Sequence, residues 1–327
     1  MPRIPFSTLD VFTTTPLSAG NPLAVVPVPH DVTLTKAQEH LIAREFGYSE
    51  TVFIYPPTTT TTPPRLAIWT ITQELPFAGH PTVGATYYLA STGEPQYQSN
   101  FQLSVPAGTV AAAYDPQSGK VSVEVPQKLT LWDRKISLAR TREAIGLPAA
   151  SPDGSNDVTT DDAFGKSCTD GVPVISVVDG LAFALVEVTG VDVLARLSPG
   201  NAEKQLDAHR DIGAEMPVFL GAYCYTIVAE TGGELEVRTR MFFKGEGEDP
   251  GTGSAACALA SYLALARGVG VGGARACEWA VEVTQGVEMG RRNEIGVRVT
   301  LGEEGRTVPK VVLEGAAVEV MRGTLAV

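Results

Sequence analysis

The chain has 327 residues, with 25 Lys and Arg against 37 Asp and Glu, a formal net charge of −12. A length of this order suggests about two domains, and 44% hydrophobic with 19% charged residues is a globular composition. The acidic balance excludes a protein whose main task is to grip nucleic-acid phosphates or an anionic membrane, so neither is expected as a partner.

Ile4–Phe12 predicts an opening strand, ended by Thr13-Thr14-Thr15-Pro16. Gly20-Asn21-Pro22 reads as a turn before a short apolar strand, Leu23–Val26. Leu34–Phe46 has helical spacing, with Ala37, Leu41, Ile42 and Phe46 on one side, Thr35 placed to cap it and Gly47 placed to stop it. Thr51–Tyr55 follows as a strand, Pro56–Pro64 as a hairpin loop of Pro and Thr, and Arg65–Thr72 as another strand. Gly79–Leu89 is small and apolar enough for a buried helix, and strands resume over Phe101–Val105, Thr109–Tyr114 and Val121–Val125. Residues 148–171 are polar and read as a loop. Strands are expected over 172–178 and 181–188, a helix over 191–207, and strands over Cys224–Glu230 and 235–243. Ser254–Ala266 reads as a second small-residue helix, and Val281–Val320 as strands with turns at Gly286, Gly290, Gly302 and Gly315.

A shift of 174 residues places Glu74, Pro76, Gly79, Tyr88, Leu89 and Ala90 on Glu248, Pro250, Gly253, Tyr262, Leu263 and Ala264, and Trp69 on the aromatic Phe243. Both units read strand, Gly/Pro loop, then a helix apolar nearly all round, which other structure must wrap. Two duplicated halves, each wrapped around one helix, would satisfy this. Both helices start from loops rich in Gly and Pro, Phe77–Thr82 and Asp249–Ser254. Unpaired N–H groups and a partial positive charge at such ends can hold a carboxylate or phosphate, although ordinary turns explain the same spacing. The glycine cluster Gly268–Gly273 follows a helix and does not separate a strand from one, so it is a poor dinucleotide-binding signal.

The four cysteines, Cys168, Cys224, Cys257 and Cys277, and the four histidines, His30, His40, His80 and His209, show no CxxC, HxH or HExxH spacing. Neither a disulfide framework nor a metal site is expected. The first residues lack a signal-peptide core, and no apolar run approaches the roughly 20 residues of a membrane span. A cytoplasmic enzyme or binding protein is the expectation.

Five segments carry a resemblance across nearly the whole chain: Asp10–Thr13 with Gly20–Val26, Phe46–Phe53, Leu75–Gly84, Glu248–Ala255, and Gln285-Gly286 with Gly290-Arg291. In these the chain resembles the PhzF-like family, the phenazine-biosynthesis isomerases and their relatives of the diaminopimelate epimerase fold. It departs from the family at Arg292-Asn293 and in the Pro/Thr insert. The resemblance implies an α+β protein of two similar domains, each a β-barrel-like sheet around a central helix. They are set at 1–128 and 129–327, with a last strand able to cross back to the first half. It implies proton transfer without a cofactor, in a homodimer, with the site in the cleft between domains. By motif, Glu50 corresponds to the general acid/base and His80, Asp249 and Ser254 to its polar partners. Gly79, Pro81, Thr82, Gly251, Thr252 and Gly253 correspond to the substrate anion site.

A carboxyl suits such chemistry near neutral pH when burial raises its pKa, and Glu50 stands beside an apolar strand. Taken alone, Glu50 is an ordinary surface carboxylate, His80 and Asp249 helix-end residues, and Ser254 a helix-start hydroxyl. The epimerases of the fold use two thiols, one at each helix-start loop. Neither loop here carries Cys, and Cys257 falls about a turn inside the second helix, so a two-thiol racemase is disfavoured. The leading expectation is an isomerase acting on a small anionic metabolite in secondary metabolism. Alternatives are a lyase, hydratase or cyclisation-promoting enzyme using the same groups, or a binding protein that keeps the cleft without turnover. Loops 14–22 and 208–222 are expected to set the substrate.

Overall fold

The structure is a computed structural model that describes residues 3–59, 62–126, 128–147, 163–178, 181–199, 206, 208–213, 218–244, 247–268 and 277–327. The first run of elements is β1 (Arg3–Val11), β2 (Asn21–Pro27), α1 (Lys36–Phe46), β3 (Glu50–Tyr55), β4 (Arg65–Trp69), β5 (Glu74–Leu75), α2 (Gly79–Ser91), β6 (Asn100–Val105), β7 (Gly108–Asp115) and β8 (Lys120–Glu124). The second is β9 (Thr130–Leu131), α3 (Leu138–Ala144), β10 (Val174–Val178), β11 (Leu181–Glu187), α4 (Val191–Arg196), α5 (His209–Ile212), β12 (Val218–Thr231), β13 (Glu234–Phe243), β14 (Gly247–Asp249), α6 (Gly253–Arg267), β15 (Cys277–Gln285), β16 (Asn293–Leu301), β17 (Lys310–Gly315) and β18 (Ala317–Ala326).

The strand pairing repeats. β1–β2 is antiparallel, β2–β3 parallel, β3–β4 antiparallel, β4–β6 parallel, and β6–β7 and β7–β8 antiparallel. The series β10, β11, β12, β13, β15, β16 and β17 follows the same sequence of directions. β8 pairs with β17 and joins the two series into one sheet, while β18 returns to pair with β1 and β9 pairs with β10. The last strand of the second half, β18, therefore extends the first half's series. The register refines the sequence match. Trp69 pairs with Glu74 and Phe242 with Glu248, so the counterpart of Trp69 is Phe242 and not Phe243. Five residues separate Phe242 from Glu248 where four separate Trp69 from Glu74, and the extra residue absorbs the slip.

α2 and α6 are buried along most of their length, α2 against β1, β2, β3, β7 and β8, and α6 against β10, β11, β15, β16 and β17. On the outer face of the first series, α1 packs over β3 and β4. It begins at a complete capping box, in which Gln38 N–H donates to Thr35 Oγ1 at 3.3 Å and Thr35 N–H to Gln38 Oε1 at 3.0 Å. It stops at Gly47, whose φ of 66° is a left-handed position that favours glycine. The buried Glu39 carboxylate ties α1 to the sheet by accepting from Trp69 Nε1 at 2.8 Å and from the Tyr55 hydroxyl. The chain leaving α1 thus enters β3 with Glu50 as its first residue.

Four readings of the sequence are corrected. Among the described residues the helix expected over 191–207 is α4 alone, because Leu197 turns extended two residues ahead of Pro199. Proline disfavours helix in the residue before it and cannot continue one itself. Asn21 is not a turn residue but opens β2, and β12 begins at Val218, well before Cys224. Gly315 closes β17, with no turn there. A Cβ on it would stand 2.5 Å from the ring of the buried Phe12. The Pro/Thr segment does link the antiparallel strands β3 and β4. Of the expected loop 148–171, residues 148–162 lie outside the described residues, as do 200–205 and 207 of the helix expected over 191–207 and most of the 268–273 glycine cluster.

The two central helices meet end to end. A Cβ on Gly79 would lie 2.9 Å from the Gly253 Cα, and one on Gly253 would lie 3.3 Å from the Gly79 Cα. The first distance is shorter than real Cβ contacts, and a Cβ on Gly253 would also stand 2.8 Å from the Leu313 side chain, so both positions favour glycine. Gly79→Ala is expected to lower stability by about 1–3 kcal/mol through overpacking, read as a fall in the urea midpoint. An unchanged midpoint would mean that the helix ends can part without cost.

Candidate functional site

The first intrahelical bonds are Thr82 N–H to Ala78 O in α2 and Ala256 N–H to Thr252 O in α6. Ahead of them stand the N–H groups of Gly79 and His80, and of Gly253, Ser254 and Ala255. Each helix end carries roughly half a unit of positive charge, so an anion is favoured where the two converge.

Two carboxyl groups and an imidazole gather there, one carboxyl from each series. Glu50, at the start of β3, reaches His80 on the first turn of α2 with Oε2 3.6 Å from Nδ1. Asp249 closes β14 and is buried. Asn21, at the start of β2, connects them. Its amide nitrogen donates to Asp249 Oδ1 at 3.0 Å and to Gly251 O at 3.0 Å, and lies 3.5 Å from His80 Nδ1. Thr252 donates its hydroxyl to Asp249 Oδ2. Ser254 is buried on the first turn of α6, and its hydroxyl makes no hydrogen bond among the described residues.

Behind Asp249 runs a second buried chain. Gln285 Nε2 donates to Asp249 O at 2.8 Å and to Thr252 Oγ1 at 3.0 Å. Its Oε1 accepts from Thr252 N–H at 3.1 Å and from the Tyr223 hydroxyl at 3.0 Å, and Thr239 donates to Tyr223 at 3.1 Å. Such a network is strong because every member is satisfied in a low dielectric.

Of the residues read from sequence, the structure brings together Glu50, His80 and Asp249, and places Ser254 on the first turn of α6 and Gly79 and Gly253 at the junction. The expectation that the other loop residues offer amide donors to an anion is corrected at Pro81, Thr82 and Thr252. Pro81 has no N–H. Thr82 spends both its N–H and its hydroxyl on Ala78 O, the latter at 2.7 Å. Thr252 spends its N–H on Gln285 and its hydroxyl on Asp249, and the Gly251 carbonyl is held by Asn21. Asn21 and Gln285 were missed as site residues, although both stand in motif segments. A polar amide at the end of an apolar strand, beside a Gly, was the available signal. The 208–222 segment is not a plain loop, since it holds α5 and the start of β12.

Burial acts in opposite directions on the two kinds of group. It pushes Asp249 up to about 6, with the Glu50 charge adding to the rise and His80, Thr252 and Asn21 opposing it. It pushes His80 down to about 4 against the pull of Asp249. The imidazole is thus neutral at pH 7, with one N–H and one lone pair. Cys257 is fully buried in α6 and its thiol is raised by that burial, which makes it a poor thiolate.

Paired repeats closing on a buried cluster of carboxyl and imidazole groups define a fold of the diaminopimelate epimerase and proline racemase kind. The chain belongs to the PhzC-PhzF family, described as phenazine biosynthesis-like proteins, whose profile matches residues 9–323. It is 30% identical over 323 residues to an uncharacterised isomerase of Mesorhizobium japonicum, covering 97% of this chain and 96% of that one. It is 29% identical over 312 residues to trans-2,3-dihydro-3-hydroxyanthranilate isomerase of Pseudomonas aeruginosa, covering 94% and 95%. The fold is similar to that of a PhzF-family protein of Bacillus anthracis, with a TM-score of 0.77 at 23% identity and full coverage of both chains. It is also similar to that of a probable proline racemase of Agrobacterium radiobacter, with a TM-score of 0.59 at 14% identity, covering 99% of this chain and 93% of that one.

The opposed pKa shifts have a consequence for stability. For Asp249, whose folded value is raised, the contribution is present below about pH 4 and is lost as pH rises through about 6. For His80, whose folded value is lowered, it is present above about pH 6.5 and is lost as pH falls through about 4. The slopes oppose each other between about pH 4 and about pH 6. Relative to the native chain, Asp249→Asn should therefore gain stability as pH rises across this window, and His80→Gln should lose it. Urea midpoints at stepped pH check both signs.

Proposed function

We propose that the protein is an isomerase that moves a proton between two carbons of a small carboxylate-bearing, conjugated metabolite, with Glu50 as the general acid/base. The observation that carries this reading is the Glu50–His80–Asp249 cluster at the converging ends of α2 and α6. The N–H groups of Gly79 and Gly253 and the Ser254 hydroxyl would receive the substrate carboxylate, leaving the carbon skeleton against Glu50. Glu50 takes the proton from one carbon, the conjugated system carries the electron pair along, and the same proton is returned at another carbon. Nothing is oxidised or reduced, so this step asks for no electron-carrying cofactor. His80, neutral and buried, stands beside Glu50 with its Nδ1 3.6 Å from Oε2. Asp249 titrates near 6 and can hold or release a proton close to neutral pH, which is the condition for efficient proton transfer.

The family membership supports a place in biosynthesis of a secondary metabolite, and a homodimer in the cytoplasm. The pairing of β9 with β10 supports a division of the chain near residue 128, with β9 in the second half. The relatives' name makes trans-2,3-dihydro-3-hydroxyanthranilate the first substrate to try.

Glu50→Gln keeps the shape of the side chain and removes its acid–base function. Turnover is expected to fall about 10²- to 10⁴-fold, the range of general acid–base catalysis, while circular dichroism and melting stay native. Proton NMR of the substrate in deuterated water follows the migration directly. Undiminished turnover by a folded Glu50→Gln would remove Glu50 from the mechanism, and a product lighter by one water would identify a dehydratase.

A further inference from the structure

Two connections break the symmetry of the repeats, and they meet each other. Between β10 and β11, Val178 pairs with Leu181, and between β6 and β7, Val105 pairs with Gly108. Their counterparts are longer. Residues 12–20 join β1 to β2, and residues 286–292 join β15 to β16. Arg291, on the second of these, grips the first. Its guanidinium donates to Gly20 O at 2.9 Å, Leu17 O at 3.3 Å, Ala19 O at 2.8 Å and Asp10 Oδ1 at 2.6 Å. The other Asp10 oxygen accepts from Leu17 N–H at 2.7 Å, and Gly20 N–H donates to Arg292 O at 2.9 Å. Asp10 is buried, and Arg291 is the cation paired with it. The grip also holds two strained residues, since Phe12 and Leu17 have φ of 65° and 72°. Bulky residues adopt such values only where the surroundings impose them.

The loop ends at Gly20, and the next residue is Asn21. Both protons of the Asn21 amide are used, one on Asp249 Oδ1 and one on Gly251 O. A displacement of the loop would carry the amide off Asp249. We propose that Arg291 is a positioning residue of the site, acting through the 17–20 turn to hold the Asn21 amide on Asp249. This rests on the reading of Asp249 as an acid–base group. One planar fork serves four acceptors here, which a lysine ammonium cannot reproduce.

Asp249 offers the readout. The charged or titratable groups that face it are Glu50 from β3, His80 from α2 and Tyr223 from β12, and the Asn21 hydrogen bond favours its ionised form. Carboxyl-carbon NMR of the full chain follows its titration, with the resonance assigned by its loss in Asp249→Asn. Asn21→Ala is expected to move the midpoint upward by about one pH unit, a tenfold gain in proton affinity. Arg291→Ala and Arg291→Lys are expected to move it in the same direction by less. If Arg291→Ala does not fold, Arg291→Lys and Asp10→Asn carry the measurement. A shift in Asn21→Ala with none in the folded Arg291 and Asp10 variants overturns the proposal and leaves Arg291 a loop clasp. No shift in Asn21→Ala overturns it as well. The titration needs no substrate, so the two readings fail separately. Intact turnover in Glu50→Gln sinks the function while the positioning result stands.

Discussion

The contact on which the rest of the molecule depends is the meeting of two helix ends through two glycines. A Cβ on Gly79 would stand 2.9 Å from the Gly253 Cα and one on Gly253 3.3 Å from the Gly79 Cα, so the absence of side chains lets the two positive helix ends come together. Like ends repel, and the unpaired N–H groups of both first turns point into the same region. Negative charge there relieves the repulsion. The protein supplies part of it with Glu50 and Asp249, and an anionic ligand would supply more. On the proposed reading, an acidic protein selects an anion without a basic patch, because the attraction comes from backbone dipoles and not from lysines or arginines.

Duplication sets this geometry, and departures from duplication make it chemically useful. By strand register, the counterpart of Thr51 is Ala222, which makes Gly221 the counterpart of Glu50. In the same way Leu75 is the counterpart of Asp249. Each repeat therefore contributes one carboxyl, and neither repeats the other's. A symmetric pair would place matching acid–base groups on opposite faces of a ligand, as two-thiol epimerases do. Here the groups differ in kind and environment, and a neutral imidazole stands between them. The two long connections, 12–20 and 286–292, are likewise unmatched, and they lock against each other beside the cluster.

Much of this was legible in the sequence. The capping of α1 by Thr35 and Gly47 was local chemistry, and the wrapped helices announced themselves by being apolar all round. The repeat was visible because Gly and Pro at the helix starts are imposed by close approach, so both copies keep them. The length of α4 was misread because a helical pattern was followed past Pro199. Asn21 and Gln285 were not recognised because their importance is tertiary. Asn21 is separated from Asp249 by most of the chain, and only the parallel pairing of β2 with β3 and the closing of the two halves place its amide there. Gly315 was read as a turn because glycine marks turns in sequence, while its real constraint is the Phe12 ring.

The environment of the cluster decides which group holds a proton more tightly. Desolvation disfavours charge on every group, raising Asp249 to about 6 and lowering His80 to about 4, so the carboxyl binds a proton more tightly than the imidazole. In an exposed pair the order is the reverse, with the histidine the stronger base by more than two pH units. The hydrogen bonds from Asn21 and Thr252 limit the rise of Asp249 and keep that carboxyl from becoming permanently protonated. Burial and hydrogen bonding thus act against each other on the same atom, and their balance depends on where the Asn21 amide is held. A structural clasp at Arg291, outside the cluster, can in this way bear on the acidity of a group within it.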